Sequence, residues 1–379
     1  MSPPGQRRSL MHIGLILEHL SAQSGGAEGF ALTVARELMQ RGHRCSVCAA
    51  DGGGLEGATV LLGPLASAPS RLQPLAPDVV VDWGLNAPAD LHRLGGGTHR
   101  EFQRLVLAAV PLPLRLAKRL LYAASPRHRR IARREVGLLS RPGVQVLAVS
   151  RFVADQVART LPFPATRLHV LHNGVDTRRF VAGGRPGVRA AERARLGLGE
   201  QDVAFLLVAH NLGLKGFGLL REVFTAGREQ LPGARLVLLG RHDPGFRAPW
   251  FIYAGTSSRP EGAYAAADAL LHPTLYDACA NVVLEAMASG LPVVSSDRNG
   301  SAEVLTDGLD GRVLPVLGRH REIRTRWLQA VAELTTRPER RQDLGAQARR
   351  RAESLSIGAY VDRFEALLRQ VAAERARGG

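Results

Sequence analysis

The stretch Leu270–Ser296, LLHPTLYDACANVVLEAMASGLPVVSS, decides the fold. Its apolar run Ala269–Leu271 predicts one buried strand, and Leu291–Val294 predicts a second. Val282–Ala288 between them has helical character, and Gly290 stands where a helix C′ glycine belongs. Strand, helix and strand in so short a span point to parallel α/β winding. Pro273–Ala280 is a loop of small and polar residues that feeds a helix N-terminus near Asn281. The first N–H groups of such a helix have no intrahelical partner, so the join suits an anion. Two acids flank it, Asp277 before the helix and Glu285 on its first turn. Carboxylates do not bind phosphate but do suit sugar hydroxyls. The segment therefore fits a ligand that is phosphorylated and rich in hydroxyls, such as a nucleotide sugar.

Outward from this segment the same alternation recurs. His12–Leu17, Cys45–Ala49, Thr59–Leu62, Val79–Val81, Val146–Val149 and Leu168–Leu171 read as strands of a first half. A Gly-rich loop, Ser21–Gly29, precedes a helix over Ala31–Arg41 that Gly42 closes. Val203–Val208, Arg235–Leu239 and Trp250–Tyr253 are strands of a second half. The expected architecture is α/β, two doubly wound Rossmann-like domains facing a cleft. The expected divisions are 11–176, 177–356, and a last helix, 357–379, packing back toward the first domain. Residues 1–10 are expected to be disordered. Ligands of such sheets bind beyond the carboxyl ends of the strands, where Gly25-Gly26, His210–Gly216 and Pro273–Asn281 all fall.

At 379 residues the chain is long enough for two cores. Three cysteines cannot make a disulfide framework, and a reducing cytoplasm fits them. Cys45 and Cys48 are spaced C-x-x-C with no second pair, which reads as buried strand residues rather than a redox or zinc site. The N-terminus makes a poor signal peptide, and no stretch approaches a spanning helix. The formal charge is +16, and only two of the 50 basic residues are lysines, Lys118 and Lys215. The densest basic run, Arg115–Arg134, contains no acid and interleaves leucines. It reads either as a solvated helix pair or as a face lying on anionic lipid. Nucleic acid is disfavoured, since aromatics are few and no recognition module is present.

Three further places can carry chemistry. Ser24–Phe30, SGGAEGF, lacks the G-x-G-x-x-G spacing, but Gly25 and Gly26 allow close approach of a phosphate or sugar as readily as a plain tight turn. In His210–Gly218, HNLGLKGFG, Lys215 sits just before a helix, a mobile point charge suited to a diphosphate. His99 follows the flexible Gly95–Gly97 run and could meet a sugar or an acceptor.

Together these motifs resemble the retaining GT-B glycosyltransferases of family four, the group that includes bacterial lipopolysaccharide core hexosyltransferases. The likeness runs from His12 to about Phe364. It is strongest over Tyr264–Val294, which is similar to the family's acid-x7-acid signature, and extends to AVSRFV with Ser150, HNGVD and LKGFG. Asp78–Phe102 and the basic Arg115–Arg134 region resemble the lipopolysaccharide branch, in which the basic region is similar to a membrane-docking surface.

The resemblance implies a role for each candidate. Glu285 would bind the nucleotide ribose, and Lys215 would neutralise the diphosphate. Asp277 and the Ala278–Val282 backbone, with Asn281 and Val282, would hold the transferred sugar and the β-phosphate. Gly25 and Gly26 would face the diphosphate from the other domain, and His99 would stand near the reacting sugar. His99, Asp277 and Lys215 are thus the catalytic candidates. The donor substrate would be a nucleotide diphosphate sugar, a UDP-hexose among the candidates, with no cofactor and no metal. The partners would be a lipid-linked or lipopolysaccharide acceptor and the anionic inner face of the cell membrane.

Two positions depart from the family. Asp277 replaces the usual glutamate, and His210 stands where an arginine is frequent. Gly240–Trp250 is also short, as if a helix near the base pocket were lost. A nucleotide-sugar 2-epimerase and a non-catalytic glycan-binding relative are the other readings. The former would want additional acids and histidines in the N-terminal half.

Overall fold

In the computed structural model the described residues are 10–20, 26–108, 110 and 112–378. The N-terminal half holds seven strands: β1 (His12–Leu20), β2 (Arg44–Gly52), β3 (Thr59–Leu62), β4 (Val79–Asp82), β5 (Leu91–Leu94), β6 (Gln145–Ala148) and β7 (Leu168–Val170). They form one sheet in the order β3-β2-β1-β4-β5-β6-β7, parallel throughout. The C-terminal half adds β8 (Val203–Val208), β9 (Ala234–Leu239), β10 (Phe251–Gly255), β11 (Ala269–His272), β12 (Val293–Ser296) and β13 (Gly311–Leu314). Their order is β10-β9-β8-β11-β12-β13, again parallel.

Parallel sheets survive only when both faces are covered, which is why the strands read as apolar runs. On β1, Ile13, Leu15 and Leu17 pack with Phe30, Val34 and Leu38 of the helix Ala27–Gln40. Ile16 points the other way, onto Cys48, Ala68 and Leu72. In the second half Phe205, Leu207 and Leu271 meet Phe224 and Trp327 on one face. Leu206, Leu270 and Val293 meet Val283, Leu284 and Met287 on the other. Cys45 and Cys48 are buried free thiols on β2, and burial pushes Cys45 up to about 12.

Several boundaries differ from the sequence reading. The first helix begins at Ala27, ahead of the expected Ala31, because Gly26 at φ 81° turns the chain straight into it. The helix after Asp277 starts at Asn281, and the following strand begins at Val293 rather than Leu291. Gly290, at φ 73°, closes that helix as expected. β5 and β13 were not anticipated. No helix lies between β9 and β10.

The chain crosses between the halves twice, and the two crossings are tied together. Val175 N–H donates to Leu355 O (2.9 Å), and Ile357 N–H donates to Val175 O (3.0 Å). The final helix, Ile357–Gly378, then returns to the first half. Its Tyr360, Val361, Phe364 and Leu368 enter the core of β1 and the helix Ala27–Gln40. Each such burial contributes roughly 1.5–3 kcal/mol relative to exposure. Arg41 fastens the helix further, donating to Asp362 (2.7 Å) and to Gly358 O (3.0 Å).

Candidate functional site

The carboxyl ends of β8 and β11 lie side by side at the point where strand order reverses, the usual place for a ligand in such a sheet. The loops leaving these strands are zipped to each other. Leu275 N–H donates to Leu214 O (2.8 Å), and the Thr274 hydroxyl donates to the same carbonyl (3.1 Å). Gly216 makes this approach possible. Its φ is 74°, and a Cβ there would lie 2.1 Å from Pro273 O. The zipper sets Lys215 against Asp277, and Lys215 Nζ donates to Asp277 Oδ2. His272, fully buried at the end of β11, places Nε2 3.6 Å from the same oxygen. Burial works against the Asp277 charge, but Lys215 and His272 outweigh it and hold the carboxyl well below the usual carboxylate range. Burial lowers His272, which lies against the ion pair.

Glu285 lies on the second turn of the helix Asn281–Ala288, one turn later than its sequence position implied. The Tyr264 hydroxyl donates to Glu285 Oε2 (2.6 Å). Burial raises the Glu285 carboxyl above its ordinary value, while Tyr264 and Arg179 pull it down. The Tyr264 bond leaves acceptor capacity on the carboxylate, enough to take hydroxyl donors from a diol.

The N-terminal half meets this site closely. Asn281 Nδ2 donates to Gly26 O (3.3 Å), which brings Gly26 to the N-terminus of the Asn281 helix. Gly25 lies outside the described residues. Tyr276 inserts between the halves, its hydroxyl donating to Gly96 O (2.8 Å) and lying 3.1 Å from Gln156 Oε1. Ser150 caps the helix Arg151–Thr160 and donates to Ala278 O (2.7 Å). Glu303 accepts from Arg151 N–H and Phe152 N–H at that helix's start, and pairs with His172 (2.8 Å). Ser150 belonged to a quoted motif, but Tyr276, Gln156 and Glu303 carried no readable signal of a cross-cleft role.

The candidates do not all converge. His99 opens the helix His99–Ala108, and its ring bonds His128 Nδ1 (3.0 Å) and Gln103 Nε2 (3.1 Å). Among the described residues no hydrogen bond links it to Lys215 or Asp277. Burial, His128 and Arg127 lower its pKa, so it stands neutral near pH 7. His210 is exposed, and burial, Arg241, His242 and Lys215 lower it too. It is therefore a weaker cation than its residue type alone implied. Val282 sits partly buried on the helix Asn281–Ala288.

The basic run forms two helices, Leu112–Ala124 and Pro126–Leu139. Nothing on the first is buried, and Leu112, Leu114, Leu116, Leu120 and Leu121 are each more than half exposed. Among the described residues no helix is long and apolar enough to cross a membrane.

Comparison with known proteins adds to this geometry. Residues 24–179 match the family described as Glycosyltransferase Family 4, and residues 169–335 match Glycosyl transferases group 1. A D-inositol 3-phosphate glycosyltransferase of Rhodococcus erythropolis is 29% identical over 210 residues, covering 50% of this chain and 46% of that protein. The chain thus spans about half the length of the curated relatives it matches. Among solved structures, WaaG, a glycosyltransferase involved in lipopolysaccharide biosynthesis, aligns with TM-score 0.77 at 19% identity, over 94% of this chain and 99% of that one. Anabaena HepE, in complex with UDP and glucose, aligns at TM-score 0.71 and 16% identity, over 94% and 99%. At such identities the likeness concerns the fold.

Proposed function

The chain belongs to glycosyltransferase family 4 and has the GT-B fold, and from that premise we propose that it transfers a hexose, with retention, from a nucleotide diphosphate sugar to an envelope glycan acceptor of the lipopolysaccharide core type. The observation that carries this reading is the Lys215–Asp277 pair at the strand-order switch, between the free N–H groups of the Asn281 helix and Gly26. Lys215 and the helix N-terminus face the diphosphate and stabilise the charge that grows on it as the glycosidic bond breaks. Asp277, kept ionised, accepts from hexose hydroxyls. Glu285 accepts from the ribose diol. The acceptor hydroxyl attacks from the face the diphosphate leaves, and a departing phosphate oxygen takes its proton. His99 is the sugar-facing histidine of this reading, which requires its ring to leave His128. The basic, leucine-studded helices lie against anionic lipid on the cytoplasmic face and bring the acceptor to the cleft.

The test is incubation of the purified protein with UDP-, GDP- and ADP-hexoses, with and without a lipopolysaccharide core acceptor. Nucleoside diphosphate release that rises with acceptor, and a retained anomeric configuration in the product, support the reading. Interconversion of the nucleotide sugar at C2 without release supports an epimerase. Binding without turnover supports a glycan-binding relative.

A further inference from the structure

Arg93, near the end of β5, is only 1% exposed, yet no carboxylate pairs with it among the described residues. Its guanidinium carbon lies 4.8 Å from the Trp83 ring centre and 5.2 Å from that of Phe30. Among the described residues Nε and Nη1 make no well-formed hydrogen bond, although the buried Tyr360 hydroxyl lies against the guanidinium. Nη1 is turned toward Gly95, where a Cβ would come within 2.8 Å of it. Stacking on two rings tolerates a guanidinium but does not neutralise it.

The remaining bond of Arg93 has a directional consequence. A guanidinium can only donate. Nη2 donates to Asn173 Oδ1 (2.6 Å), so the Asn173 amide must turn its NH2 the other way. That NH2 donates to Asn281 Oδ1 (2.7 Å) and toward Cys279 O (3.4 Å). The Asn281 amide is oriented in turn, with its own NH2 toward Gly26 O at the cleft surface. An amide is otherwise free to present either end. Here the polarity of two amides descends from one buried cation.

The place to which this donor points lacks a free charge. Lys215 shares its charge with Asp277. Gly26 opens the helix Ala27–Gln40 with no side-chain cap, and Ala280 opens the Asn281 helix likewise. Two helix N-termini without a side-chain cap among the described residues thus meet beside a buried cation, all with the same sign of potential.

We propose that Arg93 is a positioning residue of the donor site: through Asn173 it turns the Asn281 amide so that its NH2 donates into the cleft, where an oxygen of the donor diphosphate replaces Gly26 O. This rests on the nucleotide-sugar reading for the identity of the ligand, though not for the polarity of the relay. Asn281 touches the anion; Arg93 and Asn173 act through it.

The experiment compares Arg93→Met, Asn173→Asp and Asn281→Ala with the unaltered protein. Calorimetry measures inorganic pyrophosphate, the UDP, GDP and ADP series, and the matching free nucleosides. Methionine keeps a stem between Phe30 and Trp83 but removes the donor and the charge. Aspartate at 173 removes the NH2 that holds Asn281 Oδ1, which reverses the relay. Each variant is expected to lose tenfold or more in pyrophosphate and nucleoside diphosphate affinity while nucleoside affinity is unchanged. Arg93→Lys should recover part of the loss. The double variant Arg93→Met/Asn281→Ala should be no weaker than Asn281→Ala alone, which a purely structural Arg93 would not produce. Diphosphate affinity unchanged in Asn173→Asp, or fully additive losses in the double variant, overturns the proposal. Side-chain amide resonances of 15N-asparagine-labelled protein give a ligand-free readout. The Asn281 NH2 signals must shift in Asn173→Asp, and their constancy rejects the relay even should Arg93→Met not fold. An unaltered protein that binds no nucleoside diphosphate overturns the nucleotide-sugar reading instead, and the resonances still decide the relay.

Discussion

The two halves of this molecule wind their first six strands in the same order and partner their charges in opposite ways. The C-terminal half pairs its charges internally, Lys215 with Asp277 and Glu285 with the Tyr264 hydroxyl. Among the described residues of the N-terminal half, neither the buried Arg93 nor any basic side chain of the helices Leu112–Ala124 and Pro126–Leu139 forms an ion pair with an acid. One topology therefore supports two electrostatic tasks. Paired groups keep a fixed geometry without ligand. Unpaired cations hold a standing potential that an anion must satisfy.

The sharpest way to break this contrast is to unpair the C-terminal half. Lys215→Ala should lower the transfer rate by roughly 10²–10³-fold while far-UV dichroism stays native, and a rate within threefold of the parent would remove Lys215 from the chemistry. Glu285→Gln should raise the donor KM by roughly 10–100-fold, the equivalent of losing charge-assisted hydrogen bonds. The same residue sets a pH signature. Burial raises Glu285, so donor KM should climb as pH falls from 7 toward 5, and Glu285→Gln should flatten that limb. Asp277 has the opposite sign. Its folded pKa lies below its unfolded value of about 3.9, so the stability it adds is complete above that value and is lost only as pH falls through the lower folded one. Unfolding of Asp277→Asn should therefore differ from the parent by a constant amount across pH 5–8.

Smaller effects probe the frame and the membrane face. Gly216→Ala should destabilise the C-terminal half by about 1–3 kcal/mol, as expected of a residue forced to positive φ, and more where Pro273 O must move; urea denaturation reads this. Arg129→Ser and Arg130→Ser should each weaken binding to anionic liposomes roughly fivefold, with turnover on a soluble acceptor unchanged. Equal sedimentation with neutral and anionic vesicles would leave those helices merely solvated.

Legibility in the sequence followed apolar pattern. The strands β1, β2, β8, β9 and β11 announce themselves because a parallel strand buried on both faces must be apolar nearly throughout. β5 failed that test. Its two central residues are His92 and Arg93, both buried, and His92 is held by Asp82 (3.1 Å). Arg93 is held by Asn173, 80 residues further along the chain, so a local window reads only a polar loop. The same blindness hid Asn173 and Tyr276, whose partners are a strand, a loop or a helix from the opposite half. His99 shows the converse. Its setting beside glycines was visible, but its bond to His128 depends on how two helices pack.

The sequence alone was sufficient for the doubly wound class, the strand-loop-helix around Asp277, and the pairing of a rare lysine with a glycine before a helix. These rest on periodicity and on backbone conformations that few residues allow, and both are local. Only the tertiary structure could decide that Lys215 spends its charge on Asp277, that Glu285 sits a turn deeper, and that a buried arginine sets the direction of two amides across the cleft. Such facts depend on which groups meet after folding and on the burial that makes a missing or directed hydrogen bond consequential.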